Sequence, residues 1–246
     1  AGGKGTRFGQ KIPKQFYKYD GKTIIDMFLL NLDTNLFELI VISISKKYIT
    51  IIKNNPTFIQ NKNKFIFSNP GISRQQSSFN ALKKIESYKI KNILIHDATR
   101  PFCSNNLFKK ILNKLKNNNN CIPYVKNSDR QISIKDKKDI TTLNVQTPQG
   151  FNFNLIFKAH LNFKNKNFAD DASLLQEMKY KLILLKGEKT NIKLTYPEDS
   201  IFLKIFNKPV IKSGIGYDIH QINKKSKTGL KLSGIKLPFP KLIGHS

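Results

Sequence analysis

The sequence predicts an α/β protein with a doubly wound, mostly parallel sheet, and three observations carry that expectation. Short β-branched runs alternate with stretches whose apolar residues recur at helical spacing. The runs at 39–45 (LIVISIS) and 92–96 (NILIH) read as strands covered on both faces. The residues that could carry chemistry cluster just after such runs, where ligands sit in open α/β sheets.

The chain opens on A-G-G-K-G-T-R-F-G-Q-K-I-P-K-Q-F. Closely spaced glycines let backbone N–H groups approach a ligand and wrap phosphate oxygens. Arg7 and Lys14 follow on a short tether, and Pro13 stiffens the approach to Lys14. No Gly-Lys-Ser/Thr closes the loop, and Phe8 stands where a Rossmann fingerprint needs its third glycine. By composition alone the stretch also fits a flexible, solvated terminus. The loop should follow a buried strand, so the first strand is expected to be missing.

Thr23 is placed to cap a helix whose apolar residues are Ile24, Ile25, Phe28, Leu29 and Leu32. A short strand follows at 64–68. Ser73 and Gln76 form a capping-box pattern ahead of Phe79, Leu82 and Ile85. Ser104 starts a helix carrying Leu107, Ile111 and Leu115. From 121 to 145 the pattern changes to three short strands, 121–125, 130–134 and 141–145, which read as a β-arm. Thr147-Pro148-Gln149-Gly150 ends it. Helices are expected at 154–160 and 171–180, a strand at 182–185, and a last helix from Pro197 to Phe206. Residues 207–209 read as a linker, so the domains are expected at 1–208 and 209–246.

A chain of 246 residues holds one α/β domain and something small beside it. Cys103 and Cys121 do not make a disulfide framework, and they point to a reduced, cytoplasmic setting. No run of 18 apolar residues exists, so no membrane span is expected. The net charge is +27, from 43 Lys and Arg against 16 Asp and Glu. Such a charge raises a different class of function, a non-catalytic nucleotide-binding or RNA-binding protein. The lysines are spread evenly among Asn and Ile, however, with no Arg-rich stripe or aromatic platform. No nucleic-acid partner is expected.

Asp97-Ala98-Thr99-Arg100-Pro101 follows the run NILIH. A carboxylate at a strand end suits Mg²⁺ or a turn, and Arg100 suits a phosphate clamp. His96 reads as a packed residue. Arg74 and Ser77 fall in the first turns of their helix, where N–H groups and a hydroxyl can meet a nucleotide. Lys193, taken alone, reads as a surface lysine.

These pieces together resemble the 2-C-methyl-D-erythritol 4-phosphate cytidylyltransferases. The likeness rests on the opening loop with its P-K-Q, S-R-Q-Q-S at 73–77 and H-D-A-T-R-P at 96–101. It continues in Q-T-P-Q at 146–149, D-D-A-S at 170–173 and N-I-K-L-T-Y-P-E-D at 191–199. The resemblance implies CTP and 2-C-methyl-D-erythritol 4-phosphate as substrates, Mg²⁺ as cofactor and a homodimer through the arm. It implies that Arg7 and Lys14 stabilise the transition state and that Lys193 positions the methylerythritol phosphate. Ala1, Gly2, Gly3, Arg74, Ser77, Asp97 and Ala98 would line the CTP site. Arg100, Ser128 and Thr147 would face the second substrate. A related alternative is a cytidylyltransferase for ribitol 5-phosphate. The chain departs from the family where Ser128 replaces the usual Thr. It also has Asp139 where an Arg is usual, with Lys138 adjacent as the substitute cation.

The tail carries G-I-G-Y-D-I-H at 214–220 and ends in L-I-G-H-S. On a strand, Asp218 and His220 point to one face and could share a metal. The tail resembles the start of the 2-C-methyl-D-erythritol 2,4-cyclodiphosphate synthases, an α+β domain. That resemblance makes Asp218 and His220 ligands for Zn²⁺ or another divalent cation and puts His245 and Ser246 at the substrate. It implies a truncated cyclase domain, a third ligand beyond residue 246 and a higher oligomer for the intact fusion.

Overall fold

The computed structural model describes residues 1–3, 12–133 and 139–206, and the backbone of short strands at 221–222, 231–232, 235–236 and 242–243. The chain divides into two compact units, Ala1–Asn207 and Lys208–Ser246.

In the first unit a small hairpin, β1 (Lys18–Tyr19) with β2 (Lys22–Thr23), leads into α1 (Ile24–Asn31). Thr23 caps α1 as its sequence predicts, and the cap is reciprocal. The Thr23 hydroxyl accepts from the Asp26 N–H, and the Asp26 carboxylate accepts from the Thr23 N–H. Then come β3 (Ile40–Ser43), α2 (Ile49–Lys53), α3 (Pro56–Asn61), and β4 (Phe65–Ser68), which is parallel to β3. Next are α4 (Arg74–Lys84), β5 (Asn92–Ile95), α5 (Asn105–Leu115) and β6 (Asn120–Lys126). The unit closes with β7 (Leu143–Val145), β8 (Gln149–Asn152), α6 (Phe153–Asn162), α7 (Asp171–Glu177), β9 (Leu182–Lys186) and α8 (Ser200–Phe206).

The larger sheet has the order β5-β8-β6-β7, with β9 parallel to β6. Tyr124 pairs with both Val145 and Lys186, so β7 and β9 lie on opposite edges of β6. Because β8 is antiparallel to both β5 and β6, the strands β5, β6 and β9 all run the same way. The predicted α/β architecture with strands mostly in one direction therefore holds, and β8 wedged between β5 and β6 makes the inner ladders antiparallel. Helix α5 lies close on β8. A Cβ on Gly150 would sit 2.5 Å from the Ile111 side chain, so only glycine lets the helix come so near. Leu107, Ile111 and Leu115 supply the buried stripe of α5.

Three expectations need correction. All four residues of β5 are only partly buried, and so are Ile40 and Val41 of β3. Among the described residues β5 hydrogen-bonds β8 alone and β3 hydrogen-bonds β4 alone. A groove of about 500 Å³ lined by Ile40, Ile42, Ile93 and Leu94 lies along them. The second arm strand is not formed over its described part. A single bridge joins Ile132 to Asp139. The Ser73 box is only half made. Ser73 accepts from the Gln76 N–H, but the Gln76 side chain turns back to the Ile72 N–H at 2.7 Å.

In the second unit β10 (Gln221–Ile222) pairs antiparallel with β13 (Leu242–Ile243), and β11 (Lys231–Leu232) with β12 (Ile235–Lys236).

Candidate active site

Four elements end at one place: the opening loop, the start of α4, the loop after β5, and residues 191–195. The loop start is held from both sides. The Gln15 side-chain amide donates to the Gly3 carbonyl at 2.8 Å and also to the Ala1 carbonyl. Gly2 packs so closely that a Cβ there would lie 2.6 Å from Pro70 and 2.9 Å from the Ser77 hydroxyl. Ala1 and Ala98 pack against the same apolar cluster. Lys14 stands in a short 3-10 turn, Lys14–Phe16, and is 9% exposed.

Asp97 is the centre of the charge. Arg74 Nε donates to its Oδ1 at 3.1 Å, Lys193 Nζ lies 2.7 Å from Oδ2, and Arg100 Nε is 4.0 Å from Oδ2. Burial pushes the Asp97 carboxyl up, but Arg74 and Lys193 override it and hold it well below the usual carboxylate range. Arg74 shows the reverse balance. Burial disfavours its charge, and Asp171 and Asp97 more than restore it. Burial lowers Arg100 against the pull of Asp97. Arg100 Nη1 donates to the Asn191 carbonyl at 2.7 Å, while its Nε has no hydrogen-bond partner among the described residues.

The loop after β5 is braced from beneath. The Thr147 hydroxyl accepts from the Asp97 N–H at 3.0 Å and faces His96 Nδ1 at 3.2 Å. His96 Nε2 lies 3.2 Å from the Arg100 carbonyl. A carbonyl only accepts, so Nε2 carries the proton and Nδ1 accepts from Thr147. The ring stacks on Phe28 at 4.8 Å, and burial lowers its pKa to about 4. His96 is thus a neutral, packed brace.

The loop at 191–195 has no regular structure and is tied by side chains. Asn191 is fully buried. Its carbonyl accepts from Arg100 and from Gln146 Nε2, and its amide donates to the Thr147 carbonyl at 2.8 Å. The Leu194 N–H donates to the Thr99 carbonyl at 2.9 Å, which carries Lys193 to Asp97. A cavity of about 580 Å³ opens beside this cluster, with Arg100, Lys189 and Lys193 in its wall together with Asp170 and Ser173.

The structure therefore brings together Ala1, Gly2, Arg74, Ser77, Asp97, Ala98, Arg100, Thr147 and Lys193. The hydroxyls of Ser77 and Thr147 are already engaged. Ser77 donates to the Ser73 carbonyl and accepts from the Gly71 N–H. Ser128 is exposed on the arm, with Asp129 at 3.3 Å. Asp139 pairs with Arg130 at 2.8 Å, both largely exposed. Arg7, Lys138, Asp218, His220, His245 and Ser246 lie outside the described residues. Sequence reasoning gave no role to Gln15, Gln146, His160, Asp171 or Asn191. All but His160 stand inside the quoted motifs, where a buried amide or carboxylate is the signal of a brace.

The profile of the 2-C-methyl-D-erythritol 4-phosphate cytidylyltransferase family matches residues 1–206. A protein named bifunctional enzyme IspD/IspF from Pelagibacter ubique is 36% identical over 256 aligned positions, which cover 100% of this chain and 65% of that protein. A 2-C-methyl-D-erythritol 4-phosphate cytidylyltransferase from Thermosipho africanus is 33% identical, covering 80% of this chain and 91% of its own length. Among solved structures, the 4-diphosphocytidyl-2C-methyl-D-erythritol synthase from Anaerococcus prevotii superposes with a TM-score of 0.69 at 27% identity. That match covers 77% of this chain and 87% of the other. The chain thus spans less than two thirds of the length of the Pelagibacter relative.

Proposed function

Because the chain belongs to the 2-C-methyl-D-erythritol 4-phosphate cytidylyltransferase family, we propose that its first unit transfers CMP from CTP to 2-C-methyl-D-erythritol 4-phosphate. The observation that carries this reading is the Asp97 cluster, one carboxylate ringed by Arg74, Arg100 and Lys193 beside a glycine loop. A phosphate oxygen of the alditol attacks the α-phosphorus of CTP. The new P–O bond forms as the bond to the β-phosphate oxygen breaks, and pyrophosphate leaves. The attacking oxygen is already deprotonated near neutral pH, so the protein supplies position and charge and needs no general base. Arg7 and Lys14 neutralise charge at the α-phosphorus, while Lys193 and Arg100 orient the alditol phosphate in the adjoining cavity. Ser77, Ala1 and the 1–3 backbone hold the nucleotide.

Asp97 is the carboxylate beside the glycine loop that would meet a Mg²⁺ ion, which would share its oxygens with Arg74 and Lys193. Among the described residues no group of three or more His, Cys, Asp or Glu stands together. A single carboxylate suits an ion that keeps its waters and takes phosphate oxygens as its other ligands. Such an ion would supply charge neutralisation on the triphosphate. The arm, with Ser128, Lys138 and Arg130, is assigned to a second copy of the chain in a homodimer.

For the second unit the reading is the start of a 2-C-methyl-D-erythritol 2,4-cyclodiphosphate synthase domain. Asp218 and His220 would be divalent-metal ligands there, and His245 and Ser246 substrate contacts. Support comes from the bifunctional relative, which aligns with the whole chain. The test of the main reading is product identity. Phosphorus NMR of a mixture with CTP, Mg²⁺ and methylerythritol phosphate should show a diphosphate diester and free pyrophosphate. A product with ribitol 5-phosphate and none with methylerythritol phosphate would overturn it.

A further inference from the structure

Asp171 and His160 have no part in the chemistry above, yet both side chains are 0% exposed. Asp171 stands in the first turn of α7 and His160 in the last turn of α6. His160 Nε2 lies 3.0 Å from Asp171 Oδ1, and Arg74 Nη1 lies 2.6 Å from Asp171 Oδ2. The Asp171 carboxylate only accepts, so Nε2 of His160 is the donor. His160 also stacks on Phe79, one and a half turns along α4 from Arg74. The remaining α6–α7 contact is apolar, with Ile156, Ala159 and Leu175 in it. A carboxylate in such a seam gives little net stability over an apolar residue of similar size. It does fix a direction. Arg74 uses Nη1 for Asp171 and Nε for Asp97, so its planar fork is anchored at one end and aims the other.

We infer that Asp171 and His160 are positioning residues for the nucleotide site. His160 holds the Asp171 carboxylate, Asp171 holds one arm of Arg74, and Arg74 thereby meets Asp97 at Oδ1 while Lys193 takes Oδ2. Arg74 is 31% exposed at its side chain, so without Asp171 its Nη1 loses its anchor and the guanidinium is free to swing away from the place where it lines the nucleotide site. The inference rests on the reading of Asp97 as a nucleotide-site carboxylate.

The test uses the full chain and three variants, Asp171→Asn, His160→Leu and His160→Gln. The readouts are Mg²⁺–CTP affinity by calorimetry, and KM for CTP and for methylerythritol phosphate in turnover. Asp171→Asn and His160→Leu should each weaken Mg²⁺–CTP about tenfold, in the range that supporting partners of a site contribute. Their KM for methylerythritol phosphate should stay within about twofold. His160→Gln keeps a donor near the same place and should restore most of the loss. If Asp171→Asn fails to fold, the contrast between His160→Leu and His160→Gln decides. Equal Mg²⁺–CTP affinity in that pair and the parent, whatever the melting temperature, would overturn the inference. A parent that binds Mg²⁺–CTP but transfers no CMP would instead overturn the functional reading and leave the binding test in force.

Discussion

The molecule holds two arginine–aspartate pairs in opposite settings. Arg74 and Asp171 meet at 2.6 Å with the carboxylate wholly buried, and a second carboxylate shares the guanidinium. Arg130 and Asp139 meet at 2.8 Å on the arm with side chains 76% and 69% exposed. The distances are alike and the consequences are not. The buried pair is a fixed part of a network that reaches four segments of chain, and losing one partner strands a charge in the core. The arm pair sits in water, where solvent and salt screen it. Geometry alone does not separate a site from an ornament; burial and shared partners do.

The sharpest way to break this contrast is Arg74→Met. It leaves the buried Asp171 with His160 as its remaining partner and should cost about 3–5 kcal/mol of stability in chemical denaturation. A loss no greater than that of Arg130→Met would show that the buried network is not what distinguishes the two regions.

Acidification gives a second, smaller effect. Folding keeps the His96 pKa near 4 against an ordinary 6.5, so the folded chain binds fewer protons there than the unfolded chain. Stability from this group is complete above about pH 6.5 and falls as the pH drops toward 4. The loss between pH 6.5 and 5 is about 2 kcal/mol. Asp97 and Asp171, also held low, add their losses only below the ordinary carboxylate range near pH 4. In urea titrations at pH 6.5 and 5, His96→Gln should show a flatter change than the parent. An equal slope would mean that His96 is not the neutral brace described here.

The arm should respond least. A double-mutant cycle on Arg130 and Asp139 should give a coupling under about 1 kcal/mol, shrinking in high salt. Lys138→Ala should raise KM for methylerythritol phosphate moderately and leave KM for CTP unchanged, because a lysine makes a point-charge contact and not a fork.

The same contrast explains what the sequence made legible. Local signals were sound where the structure is local. The Thr23 cap and the stripe of α5 are set by neighbours within a few residues, and they stand as expected. The Ser73 box failed locally because the Gln76 side chain accepts from the Ile72 N–H instead. The bracing was not legible. Arg74 and Asp171 are 97 positions apart, and Gln146 reaches Asn191 across 45. Nothing in the spacing of either motif says that the buried amide of one serves the carbonyl of the other. The near-continuous apolar runs of β3 and β5 suggested burial on both faces, but burial depends on which strands pair, and that is a tertiary property.

The central claim is that the cations around Asp97 act on phosphate and not merely on one another. It is tested most directly by the turnover of Lys193→Ala with saturating CTP, Mg²⁺ and methylerythritol phosphate, beside its circular dichroism. The expected result is a drop in kcat on the order of a hundredfold with the spectrum unchanged. Near-parental turnover in a folded Lys193→Ala protein would contradict it.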